Sequence, residues 1–120
     1  MGFPSFLLRK LYRRGSLTPV AGGFRFTLQN PLATATIVAP PRFVINGVQF
    51  TGAQVDAVID LGALTAAKPF VFERGTSLDL QFAGALLRGA NRIQIEAETD
   101  EFGLLEIFVE DRLRSDDSEE

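Results

Sequence analysis

The side chains able to do chemistry in this sequence are few: carboxylates, hydroxyls, two lysines (Lys10 and Lys68) and a single tyrosine, Tyr12. Asp56 and Asp60 stand four residues apart, and Glu96, Glu98, Glu106 and Glu110 fall on what reads as the closing hairpin. Carboxylates facing one another across two strands would make an acid/base pair or a hard-oxygen site for a divalent ion. The plainer reading has them alternating outward beside Arg92 and keeping the strands soluble, which acidic residues do without further purpose. That reading weighs more, because like charges directly across a ladder destabilise it. No residue is assigned a catalytic, cofactor-binding or metal-ligating role.

The sequence contains neither His nor Cys. Ser-His-Asp and Cys-His catalysis, imidazole ligation and zinc-thiolate sites each need a group that titrates near neutrality, a neutral nitrogen donor or a thiolate, so all are excluded. Disulfides are excluded with them. Gly84, Gly89 and Gly103 are scattered and none opens a long helix, so no dinucleotide fingerprint or P-loop forms. Gly22-Gly23 and Asn46-Gly47 read as turns. No cofactor is expected.

The net charge of −3 is unevenly spread. Arg9, Lys10, Arg13 and Arg14 crowd one end, beside Tyr12, and Asp116, Asp117, Glu119 and Glu120 crowd the other. Nucleic-acid binding calls for a basic face interleaved with stacking aromatics. Four cations and one Tyr make a thin version of that, and a solvated or interface strand is the better reading; no nucleic-acid partner is expected. Apolar runs such as Gly62 to Ala67 fall far short of the ~20 residues of a membrane span, so no membrane partner is expected. The N-terminal charges follow the apolar Phe6-Leu7-Leu8, whereas a secretory signal has the reverse order, which predicts a cytoplasmic location.

Surface features remain. Phe102 at a turn tip, Phe108 facing outward on the last strand, Phe3 and Phe6 in the N-terminal arm, and Tyr12 form a candidate partner surface. Several exposed apolar side chains together mark an interface, whereas one alone means nothing. The arm is too short to pack on itself and must cover either its own domain's sheet edge or a partner.

The elements that would hold these residues are β-strands. Phe24 to Leu28 alternates Phe24, Phe26 and Leu28 with Arg25 and Thr27, the period of two of a half-buried strand. Phe43 to Ile45 and Val48 to Phe50 flank the hairpin signal Asn46-Gly47, and Leu78 to Phe82 and Arg92 to Thr99 alternate as cleanly. Leu104 to Leu113 returns with Leu105, Ile107 and Val109 inward. Strands are also predicted at Lys10 to Leu17, Thr34 to Val38, Gln54 to Ile59 and Phe70 to Phe72, with Leu61 to Lys68 a helical turn or a loop. The expected fold is all-β, a jelly-roll-like antiparallel two-sheet sandwich of seven to nine strands, with a closed barrel as the main alternative. Residues 1–9 form an arm, residues 10–113 the sandwich, and residues 114–120 an acidic tail of disordered composition.

The run Leu11-Tyr12-Arg13-Arg14-Gly15-Ser16-Leu17, then Gly23-Phe24-Arg25-Phe26-Thr27-Leu28-Gln29-Asn30, Phe43-Val44-Ile45-Asn46-Gly47 and the closing hairpin from Leu86 to Asp111 resembles the small β subunit of C-glycoside deglycosidases. In that family a larger TIM-barrel subunit holds the metal and the acid/base residues, and the small β-sandwich subunit supports it. The resemblance therefore implies a non-catalytic subunit or interaction module serving a larger, carbohydrate-active enzyme, and carries over no catalytic residue. Small chains with this opening also resemble proteins labelled hydroxymethylglutaryl-CoA reductase. A nicotinamide-dependent reductase needs a cofactor domain and a catalytic His or Lys arrangement that this pattern does not supply. The alternative to a subunit is a self-contained module, homo-oligomeric or alone, that binds a carbohydrate or another small ligand. Leu86 to Val109 resembles jelly-roll sugar-binding domains in this respect, although having no Trp and one Tyr counts against an aromatic platform. A small enzyme using the carboxylates of the last hairpin is a third reading.

Overall fold

Alternation of large apolar and polar residues builds the two sheets of the computed structural model, which describes residues 4–112. Phe3 and the acidic tail at 114–120 lie outside the described residues. The chain enters through one helical turn, α1 (Ser5–Leu8), continued by a 3-10 turn at Arg9–Leu11. Nine strands follow among the described residues: β1 (Thr18–Val20), β2 (Gly23–Gln29), β3 (Ala35–Ile37), β4 (Arg42–Ile45), β5 (Val48–Thr51), β6 (Phe70–Phe72), β7 (Ser77–Ala83), β8 (Ala90–Thr99) and β9 (Gly103–Arg112). No helix among them is long and apolar enough to cross a membrane.

Every strand pairing is antiparallel. The smaller sheet runs β1-β2-β7, with β2 and β7 in register from Gly23↔Ala83 to Gln29↔Ser77. The larger sheet is organised on β8. One edge of β8 pairs with β9 along its whole length, from Ala90↔Arg112 to Thr99↔Gly103. The other edge is shared: β4 takes Ile93 to Glu96, and β3 takes Thr99. β5 then continues from β4, and β6 from β3. The result is the predicted two-sheet sandwich and not the closed barrel.

Alternation decides which residues meet between the sheets. Phe24, Phe26, Leu80 and Phe82 of the small sheet are buried against Phe43, Ile45, Ile93, Ile95 and Ile107 of the large one. Phe82 is the meeting point. It stacks on Phe24 at 5.2 Å and on Phe26 at 5.0 Å within its own sheet, and meets Phe43 (5.3 Å) and Phe50 (5.2 Å) of the other sheet edge to face. Offset-stacked and edge-to-face rings each add about 0.5–1.5 kcal/mol beyond area burial. The backbone is close here as well: a Cβ on Gly23 would fall 1.8 Å from the carbonyl oxygen of Phe82, so only glycine fits at the start of β2.

Two predicted strands are not formed. Lys10 to Leu17 instead closes the 3-10 turn, makes one isolated bridge (Tyr12↔Leu28), and turns at Gly15, whose φ of 86° suits glycine. The strand begins later, at Thr18, and carries Pro19, which an edge strand tolerates because no donor is required on its open side. Gln54 to Ile59 is not a strand because a capping box captures its first residues: Gln54 Oε1 accepts the Thr51 amide at 2.7 Å, closing a 3-10 turn at Gly52–Gln54. Only Asp56 touches a sheet, through a bridge to Gln81. Leu61–Ala63 takes the helical-turn option, its first amides capped by Asp60 Oδ1 on Gly62 at 3.1 Å. Asn46 and Gly47 both have positive φ (53° and 84°), the geometry of the primed two-residue hairpin that joins β4 to β5.

Phe82→Ala should destabilise the domain by about 3–5 kcal/mol, the range for losing a buried Phe, and urea denaturation reads the effect. A cost below about 1 kcal/mol would show that the ring does not join the two sheets.

Candidate interaction surface

The arm and β9 are held together by a buried carboxylate. Asp111, near the end of β9, turns inward by the alternation of the strand and is 6% exposed. Its Oδ2 accepts the Tyr12 hydroxyl at 2.7 Å and the Gly15 amide at 2.9 Å, and its Oδ1 accepts the amide of Arg112 at 2.9 Å. A buried carboxylate is tolerated when its lone pairs are used in this way. Burial, the hydrogen bond to Asp111 and the charge of that carboxylate push the Tyr12 phenol far up, so it remains protonated and remains the donor. From this clasp the arm folds back: α1 packs against β9, Leu8 is buried, and the Arg14 guanidinium donates to the carbonyl of Glu110 at 2.9 Å. Residues 5–11 therefore dock on their own domain.

That docking relocates two members of the candidate partner surface. Tyr12, at 3% exposure, is core: it packs on Phe26 at 5.3 Å and serves the clasp, not an open surface. Phe102 is half-buried and packs on the core from the β8–β9 turn, so it does not project from the turn tip. Phe6 stands on the arm at 63% exposure and Phe108 on β9 at 55%. Leu104, which the sequence reading overlooked, is 61% exposed on the same strand. Its signal was parity: residue 104 shares the outward face with 106, 108 and 110 once Leu105, Ile107 and Val109 point inward.

The outward face has a definite register. Across β4, β8 and β9, Arg42, Glu96 and Glu106 form one row, and Val44, Gln94 and Phe108 form the next. Arg92 stands opposite Glu110 in the row after that. Glu96 and Glu106 are thus directly opposed, and the Arg42 fork offsets their repulsion with two contacts to Glu96, of 2.8 and 2.9 Å. The hydrogen bond and charge of Arg42 hold Glu96 below its usual range. Glu101 is likewise lowered, because its two oxygens accept the Thr36 hydroxyl and amide at 2.7 Å each. The Asp60 carboxylate caps the turn at Leu61–Ala63, whereas Asp56 is held by its backbone, which bridges to Gln81. Among the described residues no three carboxylates gather to hold a metal ion.

β9 is an outer strand. The Asn46 amide bonds to the carbonyl of Arg92, and Arg14 reaches the carbonyl of Glu110, so these opposed residues aim their backbone groups away from one another. In an antiparallel ladder that orientation alternates. Leu104, Glu106 and Phe108, which share the parity of Glu110, therefore direct N–H and C=O toward an edge on which no strand pairs among the described residues.

Compared with known families, the chain matches the family model described as "Hydroxymethylglutaryl-CoA reductase, N-terminal domain" over residues 7–114. The chain belongs to that family. The match agrees with the second of the two resemblances seen in the sequence. No curated protein matches the chain. In this member of the hydroxymethylglutaryl-CoA reductase N-terminal domain family, the matched region starts within α1 and takes in all nine strands, so the clasp and the open edge both lie inside it.

Two predictions test the electrostatics. Asp111→Ala strands a buried phenol and two amides and should cost more than Tyr12→Phe, which should cost about 1.5–3 kcal/mol by removing one hydrogen bond to a charged group; equal, negligible losses by urea denaturation would refute the clasp. For Glu96 and Glu101 the folded pKa lies below the unfolded value of 4.5. Their stabilisation is therefore present above that value and is lost as pH falls through the lower folded pKa. Arg42→Met should remove the Glu96 share of this acid-side decline in the urea midpoint and leave that of Glu101, and an unchanged pH profile would contradict it.

Proposed function

We propose that this chain is a non-catalytic docking module that supports a larger catalytic chain, received along the open edge of β9. The observation that carries the reading is the coincidence of an unpaired edge, Leu104 to Phe108, with two large exposed apolar side chains on the same stretch. A partner strand added there gains main-chain hydrogen bonds for affinity and side-chain packing on Leu104 and Phe108 for specificity. Proteins normally blunt such edges, and here Glu106 is the charge that discourages indiscriminate pairing.

The rhythm of the sequence, which resembles the small subunit of C-glycoside deglycosidases, supports a carbohydrate-active companion. The family match favours a second reading, in which the same edge serves a hydroxymethylglutaryl-CoA reductase whose N-terminal domain bears this name. Neither reading needs catalysis from this chain: hydride transfer and glycoside chemistry both call for groups, such as a cofactor domain or a paired acid and base, that its residues do not assemble.

Purifying the untagged protein from its native cells and weighing the complex, with the companion identified by mass spectrometry, tests the proposal. A stoichiometric larger enzyme is expected, and its identity separates the two readings. Leu104→Ser with Phe108→Ser should release it while leaving the urea midpoint nearly unchanged, since both side chains are exposed. A lone monomer under mild conditions would overturn the docking role.

A further inference from the structure

Beside the open edge, the outer face of the large sheet is hollowed to about 740 Å³ between the arm and the β4–β5 turn. Val44, Gln94 and Phe108 form one row of its floor, in register across β4, β8 and β9. Arg92 lies in the neighbouring row, and the arm contributes Arg9 and Arg14 to the wall. Three guanidinium groups thus surround an apolar and aromatic floor, with Glu110 as the one carboxylate among the lining residues. Arg14 is engaged with the Glu110 carbonyl. Arg9 and Arg92 make no side-chain hydrogen bond or ion pair among the described residues, although Glu110 stands directly across the ladder from Arg92.

We propose that this hollow binds an organic anion, one whose phosphate or carboxylate lies among Arg9, Arg14 and Arg92 and whose flat apolar body rests on Phe108 and Val44. The charge balance of the lining, three cations against one carboxylate, leaves a positive excess that an anion would offset. Guanidinium groups match the planar, two-point geometry of carboxylate and phosphate oxygens. A small ion such as inorganic phosphate would leave most of the hollow and all of its apolar floor uncovered. The inference is independent of docking on β9, because it concerns a ligand taken up by the isolated chain.

Phenyl phosphate, inorganic phosphate and phenol are the probes, titrated at low salt into the full chain labelled for amide NMR. A second protein with Asp116, Asp117, Glu119 and Glu120 changed to their amides controls for the acidic charge of the chain itself. Phenyl phosphate should shift the amides of Val44, Gln94 and Phe108 saturably in at least one of the two proteins, and more tightly than either fragment. Arg9→Ala and Arg92→Ala should each weaken it several-fold, and added salt should weaken it further, as screening of exposed charges requires. Phe108→Ala should erase the advantage of phenyl phosphate over inorganic phosphate. The same variants' urea midpoints, expected to be unchanged, separate lost binding from lost folding. Absence of saturable shifts at these amides in both proteins, or arginine variants that bind phenyl phosphate as tightly as the unsubstituted chain, would overturn the proposal.

Discussion

One ring sits at the centre of the aromatic contacts between the two sheets. Phe82 is the only residue of β7 whose side chain contacts aromatic rings of both sheets among the described pairs, and it does so while its carbonyl leaves no room for a side chain on Gly23. Interiors packed at crystal-like density transmit such a constraint, since a shift of one ring has to be absorbed by its neighbours. Phe82 stands opposite Phe24 in the β2–β7 register, and Phe43 and Phe50 of the large sheet seat against the same ring. Tyr12 joins the same aromatic group through Phe26, so the arm is tied to the centre of the domain and not merely laid over its rim.

The clasp at Asp111 carries this order out to the surface. It adds to the other anchors of this segment, buried Leu8, the Tyr12 ring on Phe26 and Arg14 on the Glu110 carbonyl, and fixes it where Arg9 and Arg14 line the same hollow as Arg92. A single inward carboxylate on an otherwise apolar strand face therefore organises charge on the opposite, solvent-facing side. Its burial is sustained by three donors at hydrogen-bonding distance, two of them backbone amides. The family match extends over both halves of this arrangement, arm and hairpin.

Much of the fold was legible because alternation is a local signal. Phe24 to Leu28, Leu78 to Phe82 and the closing hairpin each show one face apolar and one polar within a few residues, and the structure forms them. What failed to show was what depends on distant partners. Tyr12 looked like a surface aromatic among cations, yet its partner Asp111 lies 99 residues away. Asn91 stands just before the predicted strand Arg92 to Thr99 with nothing local to mark it; it is fully buried at the start of β8, bonded to the backbone of Leu87 and Gly89 and to the side chain of Asn46. At Gln54 the misreading was local, since a capping box competes with a strand wherever Thr and Gln stand three apart, and apolar spacing alone does not show which wins. Leu104 was legible by parity, since it starts the strand on which Leu105, Ile107 and Val109 point inward, and its outward place is the one the structure gives it.

The clasp also has a topological consequence. It places the start of the described chain beside its finish, because Tyr12 and Gly15 bond to the penultimate described residue while α1 rests on the same strand. The first turns of the described chain and the end of β9 thereby share one flank of the sandwich, the side that carries the open strand. A fold whose first and last elements neighbour one another in this way can in general be spliced into a host loop without threading across its own core.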